Sequence, residues 1–220
     1  MRIAIAGPDG AGKSSICNVL SEQIRPSVII YAGKANFRFS STIWALNLWN
    51  KVRNRHQVFS LLVQYFLYYP LEYCEYLSKF HANKRNNTSY IYDRHPIDRV
   101  ILKHEWLLLR RAEKIGAVNF YIQYPFFWFW GGIYKYFFPS IDAVFVVLPE
   151  PDLCFVRSGG QYRDLEEASI KVKAYYLALN ELNNSQQYQL LKVDASVSIE
   201  SICDQVIERI RVKKAHHAKN

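Results

Sequence analysis

Residues 7–15 read GPDGAGKSS, and no other stretch so narrows what the rest of the chain can become. Gly7, four residues, then Gly12, Lys13 and Ser14 fit the pattern of a phosphate-cradling P-loop. Glycines at this spacing let successive backbone N–H groups point into one concavity, and a helix starting directly afterwards turns its positive end toward the same anion. Lys13 is expected to reach the β- and γ-phosphates and Ser14 to hold Mg²⁺, with Asp9, Gly10, Ala11 and Ser15 completing the cradle. The flanks suit the motif. The apolar run Ile3 to Ala6 reads as a buried strand before it. Ile16, Val19, Leu20 and Ile24 recur at helical spacing after it, and Pro26 closes that helix before a second apolar run, Val28 to Tyr31.

A chain of 220 residues is long enough for one well-buried domain, and the whole of residues 1–220 is read as one. The first strand begins at once, with no charged and apolar leader, so an intracellular, cytoplasmic protein is expected, with the inner face of a membrane among its locations. Cys17, Cys74, Cys154 and Cys203 are far apart with apolar neighbours, which predicts buried thiols rather than disulfides or a metal site. His216 and His217 fall in a basic tail, 213–220, that reads as a frayed end. The net charge of +9 is concentrated: residues 34–139 hold 15 Lys/Arg against 6 Asp/Glu, which accounts for the whole excess. The same segment holds 27 of the 34 aromatic residues, including all five tryptophans. Composition therefore shifts sharply where the P-loop scaffold gives way to something else.

After the second strand, Lys34 and Arg38 lie where ligands bind in an open α/β sheet, although a solvated loop explains Arg38 as well. Phe39 to Asn50 and His56 to Leu71 are uncharged, aromatic-rich stretches, too continuous in apolar character for solvent-facing helices. Ser89 to Tyr92 is a third buried strand, with Asp93, Arg94, His95 and Pro96 at its carboxyl end. In the helix that follows, Ile97, Val100, Ile101, His104 and Leu108 form one stripe, leaving Arg99, Lys103, Arg110 and Arg111 largely outside it. His104 reads as a packed residue. Twenty uncharged residues, 115–134, then raise the question of a membrane span. They join two strands of one sheet, so both ends must return to the same side, and Asn119, Gln123, Pro125, Gly131 and Gly132 interrupt them. An interfacial or re-entrant segment and a packed hydrophobic insert remain equal readings. A fourth strand covers Ala143 to Leu148. Arg157 and Arg163 flank a glycine-bearing loop, a helix runs from about Glu166 to Leu182, a fifth strand covers Leu190 to Val193, and a last helix runs from Ile199 to about Val212. This order predicts an α/β, three-layer P-loop NTPase sandwich with a five-stranded parallel sheet and aromatic-rich helical insertions.

In these motifs the chain resembles the thymidylate kinases, a family of P-loop nucleoside monophosphate kinases. GPDGAGKSS resembles the family's P-loop, including its internal acidic residue, Asp9. YDRH at 92–95 resembles the DRY/DRH motif after strand three. VRSGGQYRDLEEASIKVKAYYLAL resembles the LID (157–165) and its following helix, and KVDASVSIESI the closing strand, loop and helix. The resemblance covers residues 1–31, 89–103 and 142–212. It implies an ATP- and Mg²⁺-dependent kinase with a dTMP-like acceptor. Lys13, Arg94, Arg157 and Arg163 would be catalytic, Ser14 and Asp93 would hold the metal, and Asp194 and Ala195 would lie beside the adenine. Asp9, Lys34 and Arg94 would meet the acceptor, with 34–88 and 104–139 as acceptor-side segments. A homodimer is among the assemblies this implies.

The departures are on the acceptor side. Where the family carries an Arg-Glu-Pro-like element, this chain has Ala32, Gly33 and Lys34. The helix before strand three, YFLYYPLEY, lacks the family's arginine. Two alternatives follow: a same-fold kinase whose acceptor is a sugar or lipid-linked saccharide at a membrane surface, and a non-catalytic module binding nucleotides or nucleic acid. Uncharged aromatic blocks suit burial or lipid better than a single-strand groove, so nucleic acid is disfavoured.

Overall fold

The computed structural model describes residues 1–32, 37–53, 55, 57–81, 88–95, 97–137, 141–182, 188–193 and 197–217. The chain divides into two compact units, Met1–Ile30 with Arg85–His95 and Ser140–Asn220, and Tyr31–Lys84 with Pro96–Pro139.

The first unit contains a five-stranded parallel sheet built from β1 (Arg2–Ala6), β2 (Ser27–Tyr31), β3 (Ser89–Asp93), β4 (Ala143–Pro149) and β5 (Tyr188–Val193). Its order is β2-β3-β1-β4-β5. The register sets Ile5 beside both Asp93 and Phe145, so the loop leaving β1 and the end of β3 share the carboxyl edge. Side chains alternate across a strand. Ile3, Ile5, Phe145 and Val147 therefore share one face, packed with Ile16 and Leu20 of α1 (Lys13–Gln23) and Ile202 and Val206 of α9 (Ile199–His217). Each such side chain contributes roughly 1.5–3 kcal/mol when fully buried. The opposite face of β4 meets α8 (Leu165–Leu182), which follows the short α7 (Pro151–Arg157). Val28 and Ile29 are exposed on the edge strand β2. The last helix runs through His217, beyond the expected end near Val212, so the tail does not begin as frayed chain.

The second unit is helical: α2 (Ser40–Val52), α3 (Gln57–Leu62), a π-helical turn (Val63–Tyr68), α4 (Tyr69–His81), α5 (Ile97–Arg111) and α6 (Ala117–Phe137). Phe39, the N-cap of α2, has no side chain able to accept from the free backbone N–H groups there. Glu75 of α4 meets the chain just before that end, accepting from the N–H of Arg38 at 2.5 Å and of Phe39 at 2.9 Å. Gln64, Tyr65, Tyr68 and Tyr69 turn inward together. Tyr65 stacks on Phe126 at 4.3 Å, and Trp130 donates to the Tyr65 carbonyl at 3.2 Å.

Four expectations are corrected here. The residues expected to interrupt 115–134 do not break it: from Ala117 the chain forms one helix, α6, of 21 residues with Pro125 inside it. Tyr121 and Pro125 lie on its exposed side, so the carbonyl that proline deprives of a partner faces water, while packing against α5 outweighs the rest of the proline penalty. The aromatic stretches do form solvent-facing helices, with Trp44, Phe59, Leu62 and Phe66 exposed. Arg99 is not outside the buried stripe but inside it, paired with the fully buried Glu72. Cys74 is exposed, unlike Cys17, Cys154 and Cys203. Among the described residues no helix is long and apolar enough to cross a membrane.

Candidate active site

The site is built where β1 ends. Two glycines explain why the loop after it folds as it does. Gly10 has φ 86°, and a Cβ there would lie 2.6 Å from the Cys154 carbonyl of α7. Gly12, at φ 77°, is the N-cap of α1 and brings no side chain to its own helix end. The first turn of α1 also lacks any acidic residue. Its free N–H groups and positive dipole end are thus left for an external anion.

Lys13, the first residue of α1, is drawn into the protein rather than left facing solvent. It is only 6% exposed, and its ammonium folds back to donate to the Pro8 carbonyl at 2.7 Å, with Asp9 Oδ1 at 3.9 Å. That geometry holds a cation against the loop's concave wall. The next residue makes the decisive contact: Ser14 Oγ donates to Asp93 Oδ2 at 2.6 Å. Asp93 is buried, and among the described residues its second oxygen, Oδ1, has no hydrogen-bond partner. An orphaned carboxylate oxygen costs free energy unless something cationic or donating meets it. A hydroxyl and a carboxylate oxygen side by side form a hard-oxygen donor set of the kind Mg²⁺ takes from proteins, the remainder coming from phosphate and water. The residues present fit that ion.

Arg94 follows on β3 with φ 87°, a left-handed conformation rare outside glycine. Its guanidinium donates to Asp9 Oδ1 at 2.9 Å. Asp9 therefore lies between Arg94 and Lys13. His95, beside them in sequence, is buried, and desolvation pushes its pKa down to about 3, so it is a neutral ring packed edge-on to Tyr188.

α7 and the segment after it add contacts that motif reading missed. Tyr162 donates its hydroxyl to the Asp9 carbonyl at 3.4 Å, and the Cys154 thiol donates to the same oxygen at 3.0 Å. Burial raises both pKa values and keeps both groups protonated donors. Tyr162 lies inside the quoted LID string, but nothing in the sequence links Cys154 to the loop. Arg157 is exposed at the end of α7. Arg163, 75% exposed, is held by Glu167: its backbone N–H donates at 2.8 Å and its guanidinium at 3.4 Å. Neither arginine is brought to the loop by a described contact. A cavity of about 440 Å³ opens at the carboxyl ends of β4 and β5, lined by Pro149, Glu150, Lys173, Tyr176 and Val193. Lys34, Asp194 and Ala195 lie outside the described residues.

No protein-family model and no curated protein matches the sequence. Solved structures do match its shape. The thymidylate kinase of Candida albicans superposes with a TM-score of 0.70 at 17% identity, covering 98% of this chain and 92% of that one. The deoxyadenosine kinase of M. mycoides with bound dCTP gives 0.57 at 17% identity, covering 96% and 100%. With bound dATP it gives 0.57 at 16% identity. The fold is that of a P-loop kinase.

In the second unit, the arginine-free stretch YFLYYPLEY receives an arginine from elsewhere. Arg99 of α5 pairs with Glu72 and sits 4.4 Å over the Tyr69 ring. Tyr68 donates to the other oxygen of Glu72 at 2.7 Å.

Proposed function

We propose that this chain is an ATP-dependent phosphotransferase of thymidylate-kinase type that moves the ATP γ-phosphate to a nucleoside monophosphate. The observation that carries this reading is the Ser14–Asp93 hydrogen bond with its unpartnered Asp93 Oδ1, set against the uncapped end of α1. Backbone N–H groups of the loop and α1 would hold the β-phosphate, and Lys13 would reach the β- and γ-oxygens. Ser14 and Asp93 would hold Mg²⁺. The chemistry supplied by that ion when bound is charge neutralisation on the phosphate oxygens. Arg94, released from Asp9 or shared with it, would clamp the acceptor phosphate. Asp9 would accept a hydrogen bond from an acceptor hydroxyl. Arg157 and Arg163 would close over the transferring group, whose charge spreads over its equatorial oxygens. No protein nucleophile is needed, because positioning and electrostatics carry most of phosphoryl transfer. Lys34 would serve the acceptor, and Asp194 and Ala195 would serve the adenine.

The M. mycoides neighbour, solved with dATP and with dCTP, supports a nucleotide as ligand. A second acceptor class, a sugar or lipid-linked saccharide, is favoured by one observation: the exposed aromatic helices of the second unit. The deciding experiment is an ADP-release screen with ATP and Mg²⁺ against dTMP, other nucleoside monophosphates and phospho-sugars, with and without detergent. A nucleoside monophosphate is expected to be turned over, with dTMP a poor one, because each charge-assisted hydrogen bond lost from the missing arginine is worth roughly 1.5–3 kcal/mol. Lys13→Ala is expected to cost on the order of 10²-fold or more. Release of ADP with no acceptor in the panel, or with Lys13→Ala as fast as wild type, would overturn the reading.

A further inference from the structure

The second unit carries a surface that phosphoryl transfer leaves unexplained. Phe59, Leu62 and Phe66 follow one side of α3 and the π-helical turn, and all are exposed, Phe66 by 65%. On α6, Ile122, Phe126 and Phe129 recur at helical spacing, with Phe129 55% exposed. The two stripes meet where Phe126 packs edge-on against Phe66, ring centroids 5.7 Å apart. Trp128 also projects outward, while Trp130, 8% exposed, is an interior anchor. Large apolar side chains joined in one exposed patch mark a surface that something covers.

Charge says what covers it. Residues 40–68 and the whole of α6 contain no Asp or Glu. Lys51 at the end of α2 and Arg53 and Arg55 in the turn after it are exposed, and Arg55 precedes Phe59 by four residues in the chain. On α2, Trp44, Leu48 and Lys51 are spaced to share one face, so an aromatic ring runs directly into a cation. A two-fold contact with a second copy would set this cationic rim against itself, since both partners in such an interface present the same patch. Aromatic rings flanked by Lys and Arg, with no acidic residue among them, match the chemistry of a bilayer interface whose lipids are anionic.

We propose that this face docks the protein peripherally on an anionic lipid bilayer, the rings of Phe59, Phe66 and Phe129 at headgroup depth and Lys51, Arg53 and Arg55 on the lipid phosphates. The docking does not depend on the phosphotransferase reading, and its test needs no nucleotide.

The test is flotation of the full chain with vesicles of phosphatidylcholine alone and of phosphatidylcholine mixed with phosphatidylglycerol. The protein floats with the mixed vesicles and stays behind with the neutral ones. Arg53→Gln/Arg55→Gln lowers partitioning about 30-fold, the loss of two charges worth about 1 kcal/mol each at an anionic surface. Phe66→Ser/Phe129→Ser, which alters two positions that are more than half exposed, abolishes flotation while circular dichroism still shows a folded chain with a cooperative melt. Equal partitioning into both vesicle types, no flotation with either, or flotation that survives both double variants overturns the proposal. So does light scattering that finds a dimer which Phe66→Ser/Phe129→Ser converts to monomer, because a second copy then covers the face.

Discussion

Ser14 and Asp93, 79 residues apart in the chain, meet through a 2.6 Å hydrogen bond that joins the loop after β1 to the end of β3. Asp93→Asn keeps the shape and removes the charge at the proposed metal position. The Mg²⁺ concentration for half-maximal ADP release is expected to rise about 10–100-fold, the scale seen when groups supporting a metal are lost. Ser14→Ala should shift it in the same direction by less. A magnesium titration reads both, and an unchanged midpoint in Asp93→Asn would remove this carboxylate from the metal site.

Arg94 occupies φ 87°, where a side chain is strained by roughly 1–3 kcal/mol. Arg94→Gly and Arg94→Ala should both lose turnover with the guanidinium, but they should part in stability. Glycine relieves the strain and alanine keeps it, so urea denaturation should find Arg94→Gly more stable than Arg94→Ala by about 1 kcal/mol. Equal midpoints would mean the backbone relaxes there at no cost.

Arg163 is exposed and tethered to Glu167 within the same turn, so nothing in its resting position commits it to nucleotide binding. Arg163→Ala should lower kcat on the order of 10²-fold while the ATP Kd moves by about twofold or less. Single-turnover rates and equilibrium nucleotide titration separate the two. A raised Kd with unchanged kcat would assign Arg163 to ground-state binding.

Arg99 and Glu72 form a buried ion pair in the helical unit, with the Tyr69 ring against the guanidinium. Arg99→Ala strands the Glu72 carboxylate away from water and should cost about 3–5 kcal/mol in chemical denaturation. Replacing both, Glu72→Leu with Arg99→Met, should recover most of that loss, since an apolar pair of similar volume has no uncompensated charge. A double variant as unstable as the single would show that the pair contributes more than mutual neutralisation.

Thiol chemistry should sort the cysteines by burial. Cys74 is exposed and should react first with a thiol reagent at neutral pH. Cys17, Cys154 and Cys203 are buried, and desolvation raises each thiol, Cys203 to about 11. Because the thiolate is the nucleophile, these three should label only with unfolding. Mass spectrometry after a short native pulse reads the result, and modification of Cys17 at the rate of Cys74 would contradict the packing of α1.

The sequence by itself determined the phosphate loop and the alternation of strands and helices around it. Local chemistry suffices there: glycines at set spacing, an apolar run of strand length, a helical stripe such as Ile16 and Leu20. Periodicity also placed Ile97, Val100, Ile101 and Leu108 on one buried stripe of α5, while His104, expected to pack with them, is only half-buried. What only the tertiary structure decided are relations between residues remote in the chain. Ser14 with Asp93, Asp9 with Arg94, Cys154 and Tyr162 on the Asp9 carbonyl, and Arg99 with Glu72 all depend on which strands and helices become neighbours. The aromatic helices show the same division. Spacing along a helix tells which residues share a face, but a face is buried only if another element covers it. Trp130 of α6 is covered by the residues around Tyr65, while Trp128, two positions earlier, meets solvent. Pro125 makes the point for the backbone: a residue that ends helices in isolation is carried within α6, because the lost hydrogen bond faces water and the packing energy of the helix is larger than the penalty.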